Sequence, residues 1–250
     1  MRIALIADIH GNLLALDAVL AELEREGVDR FVCLGDVAVG PQPAETLDRV
    51  RDLGCPVVMG NWDAYFACGF PEPTNELTQR LTEIGAWWAG QLSPEDRQYI
   101  GAFERCITVE LDGSQRLLAY HGSPRSYEDF VYATTADEDV ETMLGDANAP
   151  VIALGHTHFQ MIRRYDDMLL VNPGSVGLPF ARRAPVMPMS PWAEYGVLTI
   201  ADGRLSVDLR RTPFDVAALR QLIAASGMPH AEWWEALWIG KPPIGMLSPT

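Results

Sequence analysis

The sequence predicts an α/β fold in which short buried strands alternate with amphipathic helices. Residues 3–7 form an uninterrupted apolar run, which is typical of a strand buried on both faces. Leu13–Glu26 carries apolar residues at helical spacing, and Gly27 favours an end to this helix. A second short apolar run follows at residues 29–34. Strand, helix and strand in this order predict a βαβ unit with parallel strands.

The rest of the pattern predicts further elements within one large domain. We expect helices over residues 44–53, 76–92, 94–102, about 137–146 and 216–225. We expect strands over residues 56–59, 106–111, 116–120, 150–154, 168–171, 195–200 and 205–211, with hairpin turns at Asp112-Gly113 and Asp202-Gly203. The predicted organisation is a single domain over residues 1–250, with a helical insertion at about 70–102 and a C-terminal hairpin, helix and Trp-rich tail at about 192–250.

Composition limits the classes of function. The formal net charge of −15 argues against non-specific binding to long nucleic acids, which requires a basic surface. No apolar run approaches the ~18 residues of a membrane span, and the first residues lack the pattern of a signal peptide. The four cysteines show no CxxC spacing and are interpreted as reduced thiols. We therefore expect a cytoplasmic protein, and an oligomer is compatible with the sequence.

Polar side chains follow each of the first three predicted strands. Asp8 and His10 follow the first strand, and their i, i+2 spacing places them on one side of an extended backbone. Asp36 follows the second strand and Asn61 the third. The carboxyl ends of buried strands are where α/β sheets bind ligands. A carboxylate beside an imidazole there is typical of a divalent metal site; a loop Asp and a surface His are the alternative interpretation of this first stretch.

The histidines decide between these interpretations. Of the five histidines, only His230 does not follow a predicted strand. The four others, together with two aspartates and one asparagine, give seven nitrogen and oxygen ligands: Asp8, His10, Asp36, Asn61, His121, His156 and His158. Seven ligands suit two metals that share one ligand, and an aspartate is the natural bridge. Two metals roughly 3.5–4 Å apart can clamp both the attacking and the leaving oxygen of an in-line displacement at phosphorus.

Five short motifs occur in a fixed order after these strands. Asp-x-His, Gly-Asp, Gly-Asn-x-Asp, His-Gly and Gly-His-x-His together resemble the calcineurin-like metallophosphoesterases over residues 1–179. The Asn-Pro-Gly-Ser stretch that begins at Asn172 resembles a stretch found in the small prokaryotic phosphodiesterase branch of this family. The resemblance implies an α+β four-layer sandwich, in which two packed mixed β-sheets are flanked by helices and the metal site lies at the C-terminal ends of the strands.

The resemblance also implies a role for each motif residue. The first metal would be bound by Asp8, His10 and His158. The second would be bound by Asn61, His121 and His156, and Asp36 would bridge the two metals. The residues expected to serve catalysis are Asp36, Asn61, Asp63 and His121, with Asp63 orienting its neighbours. A metal-bridging hydroxide would attack phosphorus in line. The ligand set accepts two divalent ions of Mn, Fe, Zn, Ni or Co, and we favour manganese.

Trp62 departs from the commonest pattern of this family, in which many relatives carry histidine. Tryptophan cannot transfer a proton, and an alkoxide leaving group needs acid help that is typically worth 10²–10⁴-fold. We therefore predict a preference for aryl phosphodiesters or phosphoanhydrides over alkyl phosphomonoesters. The expected partner is a small phosphate-containing substrate, such as a nucleotide or a dinucleoside polyphosphate.

An acidic protein that binds polyphosphate also needs cationic side chains near the site. The candidate substrate-binding residues are Arg125, Arg182 and Arg183, although they could equally be solvated loop charges. The Trp87-Trp88 pair has two interpretations as well: core packing of the inserted helix, which we favour, or a lid that stacks on a base or aryl group.

Two alternative functions remain open at this stage. A serine/threonine phosphoprotein phosphatase is less consistent with Trp62, because that reaction expels an alkoxide. A metal-bound regulatory or binding protein with little catalysis is a different class, and the Trp-rich tail containing Trp233, Trp234 and Trp238 could serve it. The complete ligand set argues against this second alternative.

Overall fold

Two β-sheets pack face to face at the centre of the molecule in the computed structural model, which describes residues 1–111, 115–181 and 189–238. The first sheet contains β1 (Arg2–Ile6), β2 (Arg30–Cys33), β8 (Trp192–Ala201) and β9 (Arg204–Pro213). The second sheet contains β3 (Ile107–Glu110), β4 (Arg116–Ala119), β5 (Val151–Ala153), β6 (Gln160–Tyr165) and β7 (Met168–Pro173). The spatial orders are β2-β1-β8-β9 and β3-β4-β5-β7-β6.

Helices cover the outer faces of the two sheets. In chain order the helices of the described residues are α1 (Leu13–Glu26), α2 (Pro43–Asp52), α3 (Asn61–Cys68), α4 (Glu76–Ala89), α5 (Pro94–Gly101), α6 (Asp137–Leu144), α7 (Val216–Ala225) and α8 (Ala231–Ala236). α1 begins where the side chain of Asn12 accepts a hydrogen bond from the Ala15 amide, and it ends at Gly27, which has a left-handed φ of 69°.

The side chains of β1 alternate between two cores. Ile3 and Leu5 lie in the core between the sheets, which also contains Val151 of β5. Ala4 and Ile6 belong to the core on the other face, where α1 and several later helices cover the first sheet. A third cluster packs α6 onto the second sheet. The four layers are therefore helices, sheet, sheet and helices, which confirms the predicted fold class.

Both sheets are mixed, and within each sheet the parallel strands have their carboxyl ends at the same edge. β1 and β2 are parallel, with Ile3 opposite Arg30, which confirms the predicted βαβ unit. The pairs β4–β5 and β5–β7 are parallel too. The remaining pairs are antiparallel, including β1 with β8. Loops that leave the carboxyl ends of β1, β2, β4 and β5 consequently meet at one end of the sandwich.

Several elements differ from the sequence-based prediction. The predicted strand at residues 56–59 is reduced to isolated bridges at Val57 and Val58. α3 begins at Asn61, two residues after the end of this predicted strand. Its short aromatic sequence has no helical periodicity that would predict a helix. β6 and α8 are likewise absent from the prediction. β6 is an edge strand with a polar, weakly alternating sequence, and α8 has only six residues.

Trp88 is a core residue, as favoured above. Its side chain is fully buried, and its ring packs edge-to-face on Trp234 of α8 with centroids 4.9 Å apart. The pair joins α4 to the C-terminal helix. Trp87 is only partly buried but packs against the same core.

Three predicted features lie outside the described residues. They are the turn at Asp112-Gly113, the pair Arg182 and Arg183, and the end of the Trp-rich tail at residues 239–250. The predicted division into one domain with an inserted helical segment stays a prediction. Among the described helices, none has the length and apolar character that crossing a bilayer requires.

Candidate metal centre

Most of the candidate ligands lie in loops that follow the parallel strands. Asp8 follows β1, Asp36 follows β2, His121 follows β4 and His156 follows β5. Asn61 is the first residue of α3. Their side chains are buried or nearly so, although all of them are polar. The structure therefore brings together the residues that the strand-end motifs predicted.

Many of these residues have an unusual backbone. A left-handed φ is uncommon for residues other than glycine, and such strain clusters at functional sites. The candidate ligands in this conformation are Asp8 (53°), His10 (50°), Asp36 (53°), His156 (65°) and His158 (58°). Asp and His tolerate it better than β-branched residues do. Five of the eight non-glycine residues with left-handed φ among the described residues are thus candidate ligands.

The first ligand group contains Asp8, His10 and His158. One potential ligand atom from each residue lies within 4.8 Å of the others. The Nε2 atoms of His10 and His158 are 3.1 Å apart, and Oδ1 of Asp8 is 3.2 Å from Nε2 of His158. Oδ2 of Asp8 accepts a hydrogen bond from the backbone N–H of His156, which fixes the carboxylate.

The second ligand group contains Asp36, His121 and His156, again with one potential ligand atom from each within 4.8 Å. The rings of His121 and His156 have centroids 5.0 Å apart. Asn61 joins this group, because its Oδ1 lies 3.1 Å from Nε2 of His121. The structure thus brings the residues of each implied set close together, and their role as metal ligands stays a prediction.

Asp36 lies between the two groups. Its Oδ2 is 3.8 Å from Nε2 of His10 and 3.5 Å from Nε2 of His121. Its Oδ1 accepts a hydrogen bond from the backbone N–H of Trp62 at 2.9 Å. A side chain at Gly60 would clash with this carboxylate, which explains the glycine there. The position of Asp36 suits a ligand shared by two cations.

Two histidines are oriented by backbone carbonyl groups. Nδ1 of His121 donates to the Leu34 carbonyl and Nδ1 of His158 donates to the Leu178 carbonyl, both at 2.7 Å. In a neutral ring each Nε2 then presents a lone pair, although its neighbours are themselves acceptors. A divalent cation would satisfy these converging acceptors, and this orienting hydrogen bond is typical of metal-binding histidine. Nε2 of His156 is also buried without a hydrogen-bond partner among the described residues.

Burial and charge shift the pKa values of the histidines in opposite directions. Burial lowers the pKa of His10 to about 4 and the pKa of His156 to about 3. Burial opposes protonation of His121 as well, but the carboxylates of Asp36 and Asp8 outweigh it and raise the pKa of His121 to about 10. Without a cation the carboxylates therefore favour a proton on His121, and a bound cation would replace that positive charge.

Asp63 supports the loop that carries Asp36. Its carboxylate accepts hydrogen bonds from the backbone N–H groups of Asp36 at 2.7 Å, Gly60 at 3.0 Å and Val37 at 3.1 Å. These bonds tie the end of β2 to the start of α3. Asp63 thus holds the backbone of Asp36 in place, and its role in catalysis stays a prediction.

The segment around Asn172 and Ser175 supports the centre from the other side. Asn172 donates through its amide to the Gly155 carbonyl and to Oγ1 of Thr157. Ser175 donates its hydroxyl to the backbone carbonyl of Asp8 at 2.7 Å. The Asn-Pro-Gly-Ser stretch is recognisable in the sequence, but only the fold shows which groups these residues contact.

The predicted substrate-binding residue Arg125 has no described contact with the candidate metal ligands. Arg125 forms a two-pronged ion pair with Asp129 through Nε and Nη2, so its charge is already partly neutralised. His230 hydrogen-bonds Glu83 at 2.8 Å and has no described contact with the ligand groups. Trp62 packs its ring edge-to-face on Tyr65 and Phe70.

This fold, with two candidate ligand groups at the strand ends, matches that of a metallophosphoesterase of known structure. A sequence model of the calcineurin-like phosphoesterase superfamily domain matches residues 1–190, which is more than half of the chain. The chain belongs to that superfamily, whose metallophosphoesterases use divalent metals. The resemblance found in the motifs is confirmed.

Individual relatives are distant but cover much of the chain. The metallophosphoesterase structure from Sphaerobacter thermophilus has a TM-score of 0.72 and 26% identity, covering 92% of this chain and 96% of that one. Phosphodiesterase YfcE of Escherichia coli is 26% identical over 72% of this chain and 81% of its own. The symmetrical bis(5′-nucleosyl)-tetraphosphatase of Pectobacterium atrosepticum is 27% identical over 60% of this chain and 53% of its own.

Proposed function

We propose that this protein is a hydrolase of phosphodiesters or nucleotide phosphoanhydrides that depends on two divalent metal ions. The observation that carries the proposal is the position of Asp36, whose Oδ2 lies within 4 Å of a histidine Nε2 from each ligand group. A single carboxylate oxygen between two sets of buried acceptors suits a pair of cations better than one cation.

We propose specific residues for each ion. One ion would be held by Asp8, His10 and His158, the other by Asn61, His121 and His156, and Asp36 would be shared. Manganese is our first choice among Mn, Fe, Zn, Ni and Co. When bound, two cations would offset the charge of a phosphate group and lower the pKa of the attacking water.

The chain itself contributes orientation rather than proton transfer. Carbonyl groups fix the rings of His121 and His158, and Asp63 fixes the backbone of Asp36. Trp62 supplies no acid at the position where many relatives carry histidine. We therefore propose that the leaving group departs unaided, as an aryl oxide or a nucleotide phosphate does. A Ser/Thr phosphoprotein phosphatase, which expels an alkoxide, fits less well.

The relatives support this class of substrate. YfcE is named a phosphodiesterase, and the symmetrical bis(5′-nucleosyl)-tetraphosphatase is named for a phosphoanhydride substrate. We propose a small phosphate-containing substrate of either kind, with dinucleoside polyphosphates included. Arg125, Arg182 and Arg183 stay candidates for contacts with its phosphates.

The test is hydrolysis of bis(p-nitrophenyl) phosphate by chelated protein, with and without added manganese. We expect turnover only with metal and expect Asp36→Asn to abolish it, because the shared ligand loses its charge. Asp17→Asn is the matched control: Asp17 is half-exposed and pairs with Arg49 on the surface.

Three results would contradict parts of the proposal. Equal turnover by the wild-type protein and Asp36→Asn would remove Asp36 from the centre. No turnover with any of the five metals, in protein that binds two ions, would favour the regulatory or binding alternative. Faster hydrolysis of an alkyl phosphomonoester than of the aryl diester would overturn the argument from Trp62.

A further inference from the structure

The loop after β4 passes beside the second ligand group. Its residue Glu128 accepts a hydrogen bond from the hydroxyl of Tyr65, which is one helical turn beyond Asn61 in α3. Two residues later, the ring of Phe130 lies against the ring of His156, with centroids 4.3 Å apart. Residues 128–130 therefore extend from the Asn61 side of this group to the His156 side.

Phe130 is unusual because it is exposed at this position. Its exposed fraction is 45%, and the other large apolar side chains exposed to this extent among the described residues are Ile162 and Trp192. A single exposed aromatic residue is common on protein surfaces. This one, however, contacts a candidate metal ligand, so its exposed part lies at the edge of the centre.

A row of aromatic rings continues from Phe130 to His158 of the first ligand group. Phe130 is stacked on Tyr132, with planes only 8° apart. Tyr132 contacts Phe159, and Phe159 contacts Phe180 at 5.8 Å. Phe180 is stacked on the ring of His158 in the first ligand group, at 4.7 Å. The row thus connects candidate ligands of both groups, and Phe130 is its exposed member.

We propose that Phe130 is a stacking platform for a planar aromatic group that the substrate carries next to its phosphate. The inference rests on the proposed function, since it assumes that the phosphate binds at the paired ligand groups. An aryl ring or a nucleobase offers the flat π-face that such a platform recognises. Substrates of both proposed kinds, aryl diesters and nucleotide anhydrides, meet this requirement.

The structure also suggests a purely supporting role, in which Phe130 only holds the ring of His156. The two roles differ in what they recognise. A supporting role would affect every phosphate ligand equally, whereas stacking affects only ligands with an aromatic group.

The experiment measures binding by isothermal titration calorimetry to the manganese-loaded protein. Two pairs of non-hydrolysable compounds isolate the aromatic group: phenylphosphonate with methylphosphonate, and adenosine 5′-methylenediphosphonate with methylenediphosphonate. The variants are Phe130→Ala, Phe130→Tyr and the control Ile162→Ala, since Ile162 is exposed to a similar extent in the middle of edge strand β6.

We expect wild-type protein to prefer the aromatic member of at least one pair. Phe130→Ala should weaken binding of that member about 2- to 10-fold and leave the non-aromatic member unchanged, as expected for one aromatic pair. Phe130→Tyr should retain the preference, and Ile162→Ala should match the wild type. A loss confined to the first pair identifies an aryl ester, and a loss confined to the second identifies a nucleoside.

Three results would overturn the inference. They are equal weakening of both members of a pair, no effect of Phe130→Ala on either pair, and no binding of any compound. Hydrolysis of bis(p-nitrophenyl) phosphate by the same preparations reports separately on the proposed function. Metal-dependent turnover with an unchanged binding preference would reject the platform and keep the enzyme.

Discussion

Asn172 holds the loop that carries two candidate ligands. Its Nδ2 donates to the Gly155 carbonyl at 2.7 Å and to Oγ1 of Thr157 at 3.0 Å, while its Oδ1 accepts from the Gly174 amide. The side chain is fully buried. These bonds hold Gly155 and Thr157 on either side of His156, so a residue that is not itself a candidate ligand supports the position of one.

We expect Asn172→Ala to weaken manganese binding roughly 10- to 100-fold, as is typical when a group that orients metal ligands is lost. Asn172→Asp keeps the acceptor for Gly174 but removes the donors, so it should show a loss of the same kind. Titration calorimetry with manganese measures both, and thermal unfolding checks that each variant is folded.

Asn148→Ala is the control for this prediction. Asn148 is exposed, and its described hydrogen bond uses the backbone carbonyl, which accepts from Arg116. Its affinity for manganese should match the wild type. Unchanged affinity in folded Asn172→Ala would show that the loop does not depend on this side chain.

At this scale the sequence predicts ligands better than the residues that support them. The ligand motifs are recognisable because each is short and follows an apolar strand. Ser175 and Asp8 are 167 positions apart, so no local pattern links them. Phe130 and Glu128 lie in a loop without periodicity, and their proximity to the centre follows from the path of that loop.

The end of α1 is tied to two strands of the first sheet. Glu26 accepts hydrogen bonds from Arg2 of β1, at 2.6 Å, and from Arg210 of β9. Hydrogen bonds from Arg210 and Arg2 lower the pKa of Glu26 to about 2. The group is partly open to solvent, which reduces the contribution of such pairs to stability.

This ion-pair cluster predicts a pH dependence of stability. The pKa of Glu26 is depressed relative to the unfolded value of 4.5, so the stabilisation is present above about pH 4.5. It is lost as the pH falls toward about 2. Glu26→Gln should therefore lower the unfolding temperature at pH 7. The difference in unfolding temperature between this variant and the wild type should become smaller as the pH falls through this range.

Thermal unfolding between pH 7 and pH 2 measures the effect. Glu24→Gln, an exposed change on the same helix, should follow the wild-type profile. A constant difference between Glu26→Gln and wild type at every pH would assign the effect to lost packing instead of lost charge.

Elements with a regular pattern are the ones that the sequence predicts well. α1 and α7 have the predicted bounds, because each has apolar residues at helical spacing. α3 and β6 lack such a pattern: α3 forms where Asp63 accepts from the Gly60 amide, and β6 forms by pairing along β7. Both depend on neighbours that a sequence window does not contain.

Across the whole molecule, strain and burial at the ligand groups oppose folding unless something offsets them. Left-handed residues cost of order 1–3 kcal/mol each, and buried carboxylates such as Asp8 and Asp36 need compensating positive charge. Cation binding to the folded chain would supply that charge. The stability of the protein should therefore depend on metal.

We expect manganese to raise the unfolding temperature. A ligand at about 100 times its Kd adds about 2.7 kcal/mol. For a chain of this size that corresponds to roughly 5–10 °C. Differential scanning fluorimetry after chelation, with and without manganese, measures the shift.

The same variants serve as controls for this measurement. Asp36→Asn should show a reduced shift, because the shared ligand is weakened, and Asp17→Asn should show the full shift. An equal shift in wild type and Asp36→Asn would mean that manganese stabilises the chain elsewhere.

The pairing of β1 with β8 has a consequence for synthesis on the ribosome. β1 lies between β2 and β8, and Leu5 pairs with Gly196. The edge of β1 that pairs with β8 therefore stays unpaired until about 190 further residues have been synthesised. At ~5–20 residues per second this takes roughly 10–40 s. An unpaired apolar edge can template association with other chains. The nascent chain is thus exposed to misassembly at β1, the strand that leads to the candidate ligands Asp8 and His10.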